Sequence, residues 1–265
     1  MIKNIQTNLT YYGVADAKCV IEKVEHGNLE RRQTNNSEEY LVTVHNGRPF
    51  RDKFTLDNQG FEFVDHNTRV RDFHDPNELK SIYYPEMEQL IKKSTGASKV
   101  LVFDHTLRAG DRKERAKRHS REPVHRVHND NTEWSGPQRL RDILPDEADN
   151  LLKNRFSIIQ TWRAIRNPIE ADPLAICDAT SLLPTDLISP DRGGGTYQVT
   201  YNTNHLWYYF PRMARNEILI FKGYDSKIDG CARFTAHTSF NDPTSPPNAN
   251  PRESIEIRTL AFYDS

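Results

Sequence analysis

From Phe156 onward the chain consists of short apolar runs separated by turn residues, and this pattern limits the fold more than any other feature. The turn residues include Gly193–Gly195 and Asp229–Gly230. Serial short strands favour a sandwich or closed barrel over alternating strand–helix units. We therefore predict a mainly β fold with flanking helices, a double-stranded β-helix (jelly roll) that brings distant residues to one mouth. The predicted strands are Phe156–Trp162, Leu174–Cys177, Thr196–Tyr201, His205–Phe210, Glu217–Phe221, Ala232–Phe240 and Ser254–Phe262.

The earlier part of the chain combines strand and helix signals. Tyr40–Val44 is predicted to be a strand, and turn residues follow it. Asp75 is typical of a helix start, and apolar residues then recur at helical spacing until Gly96. Two further elements are predicted, a strand over Lys99–Asp104 and a helix over Gln138–Lys153 that breaks at Pro145.

The length and composition fit one folded domain with a polar surface. At 265 residues, the chain is long enough for a sizeable core. We expect a single domain, with a β and helical layer over about residues 1–100 and a jelly-roll core over about 101–265. The mean hydropathy of −0.78 is low, but 10% aromatic residues and repeated apolar runs argue against disorder.

The overall charge gives no reason to expect binding to nucleic acid or to an acidic membrane. Lys and Arg number 36 against 37 Asp and Glu, a formal net charge of −1. No stretch approaches the roughly twenty apolar residues that a membrane helix needs. Cys19, Cys177 and Cys231 are too few and too spread for a disulfide framework, so free thiols are expected. Because the N-terminus also lacks a signal-peptide core, we expect a cytoplasmic protein.

A candidate metal site comes from three residues. His128 and Asp130 are two positions apart, so in an extended backbone both side chains point to the same face. His237, about a hundred residues later, would add a second imidazole. Two histidines and one carboxylate on one face of a metal leave the opposite positions open, which is diagnostic of non-heme Fe(II) oxygenases.

Two other histidines compete for the same role. His125 and His128 would form an H-x-x-H pair if this segment were helical, but Pro123 and polar flanks favour an extended or loop form. His205 is an alternative to His237. It precedes an aromatic run typical of core or pocket wall, whereas His237 precedes a strand that carries arginine, so we favour His237.

An open ferrous site that reacts with O₂ needs an electron donor, and 2-oxoglutarate is the common donor. The distal carboxylate of 2-oxoglutarate suits the planar fork of an arginine. Arg252 and Ser254 share one face of a predicted strand, and Arg258 lies on the same face. We favour Arg252 with Ser254 as the anchor, while Arg258 remains an alternative. Exposed charges that pair with neighbouring glutamates would also explain both arginines.

Several further residues are candidates for the walls of a substrate pocket, although buried aromatic residues more often serve packing than recognition. These candidates are Arg108, Trp162, Arg163, Trp207, Tyr209 and Arg258.

The segment from Arg108 to Arg126 is strongly basic. It holds eight Lys or Arg and three acidic residues, with few apolar groups. A solvated loop is one interpretation of this composition. A lid or an anion-steering rim next to the metal is the other, because the segment ends two residues before His128.

Several longer motifs are spread over nearly the whole chain: Tyr84–Glu86, Thr95–Ala97, Phe103–Arg108, Val127–Asp130, Leu206–Pro211, His237–Pro243 and Arg252–Arg258. Together they resemble the aspergillic-acid hydroxylase family, which also contains the hydroxylating partner in cephalosporin 7-methoxylation and an aziridine-forming amino-acid oxygenase. The resemblance implies Fe(II)- and 2-oxoglutarate-dependent oxidation in specialised metabolism on a double-stranded β-helix, with iron ligands at His128, Asp130 and His237 and the 2-oxoglutarate anchor at Arg252.

These observations lead to one hypothesis and two alternatives. The hypothesis is an Fe(II)- and 2-oxoglutarate-dependent dioxygenase that hydroxylates, desaturates or cyclises a small, amino-acid-derived or other specialised metabolite. A nucleic-acid oxidative demethylase is the first alternative, suggested by the Arg252 to Arg258 spacing and the basic segment. A non-catalytic jelly-roll partner protein is the second. The sequence leaves open a partner protein or a homo-oligomer.

Overall fold

A computed structural model describes residues 4–13, 20–23, 29–32, 36–118, 120–166, 168–189 and 194–264. Cys19 and Gly193, which figured in the expectations above, lie outside these ranges. The strands are β1 (Ile5–Tyr12), β2 (Val20–Lys23), β3 (Leu29–Arg32), β4 (Ser37–Asn46), β5 (Phe61–Asp65), β6 (Lys99–Ala109), β7 (His128–Asn129), β8 (Phe156–Ala164), β9 (Leu174–Cys177), β10 (Leu187–Ile188), β11 (Tyr197–Val199), β12 (Trp207–Tyr209), β13 (Glu217–Asp225), β14 (His237–Ser239) and β15 (Glu253–Phe262). The α-helices are α1 (Pro76–Glu78), α2 (Tyr84–Thr95), α3 (Arg112–Arg118), α4 (Ser135–Ile143) and α5 (Ala148–Leu151).

Two sheets dominate this part of the chain. The larger has the order β1-β4-β12-β9-β14-β7-β11-β10, and the smaller has the order β5-β13-β8-β15-β6. Aromatic and aliphatic side chains from both sheets, such as Phe221 on β13 and Ile176 on β9, share one apolar cluster between them. The predicted mainly β jelly roll with flanking helices is confirmed.

Three early strands, β1, β4 and β5, belong to these same sheets, whereas β2 and β3 pair with each other in a separate two-stranded sheet. β1 and β4 extend the larger sheet, and β5 pairs with β13 in the smaller one. β1, β4 and β5 therefore complete the two sheets of the core and do not form the separate N-terminal β layer that was expected.

The main helix packs on the outer face of the smaller sheet. Asp75 caps α1 by accepting a hydrogen bond from the Asn77 N–H, and the helix continues through a π-helical turn into α2. Gly96 ends α2 in the left-handed region, at φ 72°, as the sequence predicted. Ile255 and Ile257 of β15 share an apolar cluster with α2, and the residues that alternate with them face the barrel interior.

Other boundaries differ from the predictions. The strand predicted over Ala232–Phe240 pairs only over His237–Ser239, and α3 occupies part of the basic segment. The predicted helix near Pro145 is split into α4 and α5. Among the described residues no helix combines the length and apolar character needed to cross a membrane.

The basic segment is fastened to both sheets. The Arg121 N–H donates to Leu107 O at 2.9 Å, which adds this stretch to the edge of β6. The Ser239 N–H donates to Val124 O at 2.8 Å, and the Val127 N–H donates to Thr10 O at 2.8 Å. The segment therefore runs along the mouth of the barrel in a fixed position.

The packing of β15 on α2 predicts the effect of a core truncation. Ile257 is fully buried, so Ile257→Ala should lower the free energy of unfolding by about 2–5 kcal/mol through lost burial and a cavity. Urea unfolding followed by fluorescence measures this change. Leu41→Ala, at a residue 64% exposed, should change stability by less than about 0.5 kcal/mol. Equal effects of the two substitutions would contradict the assigned core.

Candidate metal centre

The register of two short strands brings the three predicted residues together. β7 pairs with β14 so that His128 lies directly opposite His237, and Asp130 follows one residue after β7. The two imidazole centroids are 4.4 Å apart. One ligand atom from each of His128, Asp130 and His237 lies within 4.8 Å of the others, a spacing that could hold a metal ion.

Both imidazoles are oriented by the backbone two residues earlier. His128 Nδ1 lies 2.7 Å from Arg126 O, and His237 Nδ1 lies 3.2 Å from Thr235 O. A carbonyl oxygen only accepts, so each Nδ1 carries the proton and donates it. Each Nε2 is thereby left with a lone pair for a metal.

The charge states of the two histidines differ. Burial, followed by the nearby His128, lowers the pKa of His237 to about 3, so this imidazole is neutral at physiological pH. Burial also opposes protonation of His128, but the Asp130 carboxylate outweighs it and raises the pKa of His128. A metal ion would take the place of that proton.

The two carboxylate oxygens of Asp130 have different surroundings, and only Oδ1 faces the histidines. Its Oδ1 lies 3.3 Å from His128 Nε2. Its Oδ2 accepts hydrogen bonds from Gln160 Nε2 at 2.7 Å and from Arg258 Nε and Nη2 at 2.9 and 2.8 Å. Burial opposes ionisation of Asp130, but Arg258 and His128 hold its pKa well below the usual range. The carboxylate is therefore charged and suited to binding a metal through Oδ1 alone.

A narrow inner pocket leads from the histidines to Arg252. Trp162, Phe221, Ser239 and Glu256 are among its walls. Arg252 is 2% exposed and donates from Nη1 to Asp172 O at 2.7 Å and to Ser239 Oγ at 2.6 Å.

Arg252 and Ser254 retain unused hydrogen-bonding capacity in this buried region. Arg252 Nε and Ser254 Oγ are buried without a hydrogen-bond partner. Burial, followed by the charge of Arg108, lowers the pKa of Arg252 to about 9, so the guanidinium stays charged at neutral pH. A buried cation with a free donor fits a bound carboxylate, because leaving such groups unpaired costs free energy. The residues present therefore fit the distal carboxylate of 2-oxoglutarate.

Arg258 is placed differently from Arg252. Besides Asp130, it contacts Glu256 Oε1 at 2.6 Å and Asp104 Oδ2 at 3.0 Å. These carboxylates already satisfy its guanidinium, so of the two arginines it is Arg252 that has a free donor.

Trp162 and Arg108 line the inner pocket, whereas Arg163 does not. Trp162 lines the inner pocket, with its ring centroid 5.4 Å from Arg252 Cζ. Arg108 lies between this pocket and the larger cavity outside it. Arg163 is on the opposite face of β8, where Nη2 donates to His66 O at 2.6 Å. Adjacent strand residues point to opposite faces, so the expectation for Arg163 is corrected.

Trp207 and Tyr209 lie in the apolar core of the larger sheet and are absent from the pocket walls. Trp207 Nε1 donates to Tyr11 Oη at 2.7 Å, and the Tyr209 ring packs edge-on against Phe240. The competing His205 is also buried there, with Nε2 3.1 Å from Asp186 Oδ2. The expectation that Trp207 and Tyr209 line the pocket is therefore corrected.

Two residues that the sequence analysis did not single out complete the centre. Gln160 Nε2 bridges Asp130 Oδ2 and Glu256 Oε1 at 2.7 and 2.8 Å. Strand alternation contained the signal for both: Gln160 is two residues before Trp162, and Glu256 is two residues after Ser254.

A jelly roll carrying two histidines and one aspartate around open positions defines the class of non-heme Fe(II) oxygenases. A family model described as "Oxidoreductase/YMDC permease-like domain" matches residues 9–262. The chain belongs to this family, and its relatives are fungal Fe(II)- and 2-oxoglutarate-dependent dioxygenases.

Particular relatives match over most of their length. The hydroxylase/desaturase efuI of Hormonema carpetanum is 33% identical over 289 aligned positions, covering 98% of this chain and 95% of the relative. The Fe(II)/2-oxoglutarate-dependent dioxygenase nvfI of Aspergillus novofumigatus is 30% identical and covers 84% and 83%. A solved structure of the iron and alpha-ketoglutarate-dependent endoperoxidase NvfI, in a different conformation, has a TM-score of 0.84 at 26% identity, with 100% of both chains covered.

The geometry predicts the consequence of removing one imidazole. His237→Ala should weaken Co(II) binding by more than about 100-fold, because one of three ligands is lost. Anaerobic Co(II) titration followed by visible absorption measures the affinity. His45→Ala, a half-buried histidine that packs against Tyr208, is the control and should bind as the unsubstituted protein does. Unchanged binding by His237→Ala would contradict the site.

The double contact between Arg258 and Asp130 predicts a second effect. Arg258→Gln should weaken Co(II) binding by roughly 10–100-fold, because Asp130 loses the partner that orients it. Arg258→Lys should lose less. Arg163→Gln, on the other face of the same sheet, should lower stability without changing the Co(II) affinity. Equal Co(II) affinities for Arg258→Gln and Arg163→Gln would refute a positioning role for Arg258.

Proposed function

We propose that His128 Nε2, Asp130 Oδ1 and His237 Nε2 hold the Fe(II) of this dioxygenase. The observation that carries the proposal is the close approach of these three groups across the β7–β14 pair, within 4.8 Å. When bound, Fe(II) with 2-oxoglutarate and O₂ supplies the oxidising chemistry, and 2-oxoglutarate leaves as succinate and CO₂. The chain's own residues fix ligand orientation and hold both substrates in register.

In this proposal Arg252 grips the distal carboxylate of 2-oxoglutarate, and Ser254 contributes its hydroxyl. The unpaired Arg252 Nε and Ser254 Oγ support the assignment, as does the apolar wall of Trp162 and Phe221. The apolar wall lowers the local dielectric, which strengthens the ion pair. Arg258, by contrast, acts through Asp130.

The substrate is a small molecule that enters through the cavity outside His128 and Asp130. This cavity has a volume of about 890 Å³, within the range of small-molecule sites. The names of relatives describe a hydroxylase/desaturase and an endoperoxidase. For this chain we propose an oxidation of its small-molecule substrate by hydroxylation, desaturation or ring closure.

The nucleic-acid alternative loses one of its two supports. It relied on the spacing of Arg252 and Arg258, but Arg258 is held by Asp130, Glu256 and Asp104. An arginine with three carboxylate partners is a poor phosphate contact. The small-molecule hypothesis is therefore the one we retain.

Three finer assignments are also proposed. The motifs described above support membership of the aspergillic-acid hydroxylase group within the wider family. Free thiols at Cys177 and Cys231 support residence in the cytoplasm. Shared sheets between the early and late strands support one catalytic domain over residues 1–265.

The anchor assignment is tested by 2-oxoglutarate binding. Arg252→Gln should raise the dissociation constant of 2-oxoglutarate on the order of 100-fold, because truncating one partner of a buried charge pair costs roughly 2–5 kcal/mol. The absorption of the anaerobic Fe(II)–2-oxoglutarate complex measures this constant.

Controls separate the anchor from the metal site. Arg252→Gln should keep the Fe(II) affinity of the unsubstituted protein. Arg141→Gln, at an exposed residue of α4, should bind 2-oxoglutarate normally. If 2-oxoglutarate binds Arg252→Gln as tightly as the unsubstituted protein, another residue is the anchor.

A further inference from the structure

The cavity outside the metal centre is unusually rich in arginine. His128 and Asp130 form its floor, and the basic segment forms one side. Among the residues that the structure describes, five arginines line it against three carboxylates. The arginines are Arg108, Arg115, Arg121, Arg126 and Arg258, and the carboxylates are Glu122, Asp130 and Asp172.

Some of these cations are already engaged. Arg258 is held by Asp130 and Glu256. Arg108 donates from Nη1 to Glu122 O at 2.8 Å, and its Nε lies 3.9 Å from Glu256 Oε2. Both therefore belong to the metal centre and its border more than to the open cavity.

The positive charges of Arg115 and Arg121 remain available to pair with a ligand. Arg115 Nη1 donates to two neutral carbonyls, Ala109 O and Gly110 O at 3.2 and 2.8 Å. Its Nη2 lies 3.8 Å from Glu122, whose side chain is 76% exposed, so water weakens this ion pair. Arg121 is exposed, and its side chain has no hydrogen bond or ion pair with the residues that the structure describes.

The segment that carries both arginines is held in place. Hydrogen bonds of the Arg121, Val124 and Val127 backbones tie it to β6, β14 and β1, respectively. The backbone that carries the guanidinium groups is thus in place before a ligand arrives, which lowers the entropy cost of binding.

The same cavity offers little to an apolar ligand. Of the lining residues within the described part of the chain, only Pro123 and Val124 have predominantly apolar side chains. The others include polar groups such as Thr10, Ser37 and Gln198. Small-molecule sites are usually lined mainly by apolar groups, so this departure indicates a polar ligand.

We propose that the substrate is a small polar organic acid, whose carboxylate pairs with Arg115 and Arg121 while the carbon to be oxidised faces His128 and Asp130. This inference rests on the proposed function and adds the substrate class. Arginine pairs bidentately with a carboxylate, which fixes orientation as well as affinity. The carboxylate would hold the rest of the molecule at a constant distance from the metal.

Two near-isosteric probes that differ in one charge test the proposal. N-trifluoroacetylglycine and N-trifluoroacetylglycinamide are titrated by ¹⁹F NMR into protein loaded with Zn(II) and 2-oxoglutarate, so that the inner pocket is filled. The acid should bind roughly 10-fold or more tightly than the amide, since charge-assisted hydrogen bonds are the stronger kind. Added salt should reduce the difference.

Substituted variants test whether Arg115 and Arg121 cause the preference for the acid over the amide. Arg115→Gln with Arg121→Gln should remove the preference for the acid, and Arg115→Lys with Arg121→Lys should keep part of it. The control Arg139→Gln with Arg141→Gln also removes two positive charges, from exposed residues of α4, and should leave the preference for the acid intact. Zn(II) and 2-oxoglutarate should bind all three double variants normally.

Two results would overturn the proposal: equal binding of acid and amide by the unsubstituted protein, or a preference that survives Arg115→Gln with Arg121→Gln. Failure of Zn(II) or 2-oxoglutarate to bind the unsubstituted protein would instead refute the proposed function, and the substrate assignment with it.

Discussion

The pairing of β7 with β14 is the constraint on which the candidate site depends. These strands are two and three residues long, yet their register sets His128 opposite His237. The strands flanking them, β9 and β11, hold that register within the larger sheet. Because a one-residue slip would turn a side chain to the other face, the sheet as a whole fixes the geometry of the metal ligands.

The smaller sheet supplies charged side chains around the β7–β14 pair. β15 presents Ser254, Glu256 and Arg258 to the interior, and Ile255 and Ile257 to the helix on the other side. One strand therefore contributes to the hydrophobic core and to the polar centre at once. Arg258 neutralises Asp130 and Glu256 in a buried region, and Gln160 bridges the same two carboxylates. Removing Arg258 would leave Asp130 and Glu256 in a buried region without the guanidinium that pairs with both.

Strand periodicity and turn residues in the sequence predicted the jelly roll and the helix from Asp75 to Gly96, and two-residue spacing paired His128 with Asp130. These predictions depend on local rules of alternation, capping and spacing. His237 was favoured instead for its place in the chain, ahead of the strand that carries arginine. The N-terminal strands were placed in a separate layer, since the partners of β1, β4 and β5 are set by long-range pairing that no local pattern encodes.

The remaining differences have similar causes. Arg163 was grouped with Trp162 although adjacent strand residues face opposite sides. Trp207 and Tyr209 were placed at the pocket because aromatic runs occur both there and in cores, and only tertiary packing distinguishes the two. The basic segment was interpreted first as a solvated loop, with a lid or rim beside the metal as the alternative. Its backbone hydrogen bonds to three strands, which composition does not reveal, place it at the rim of the cavity.

The most direct test of the account is anomalous diffraction at the iron edge from crystals grown without oxygen in the presence of Fe(II) and 2-oxoglutarate. The account predicts one iron peak in contact with His128 Nε2, Asp130 Oδ1 and His237 Nε2, and a 2-oxoglutarate molecule whose distal carboxylate meets Arg252. An iron peak away from these three atoms, or a co-substrate whose carboxylate meets another cation, would contradict it.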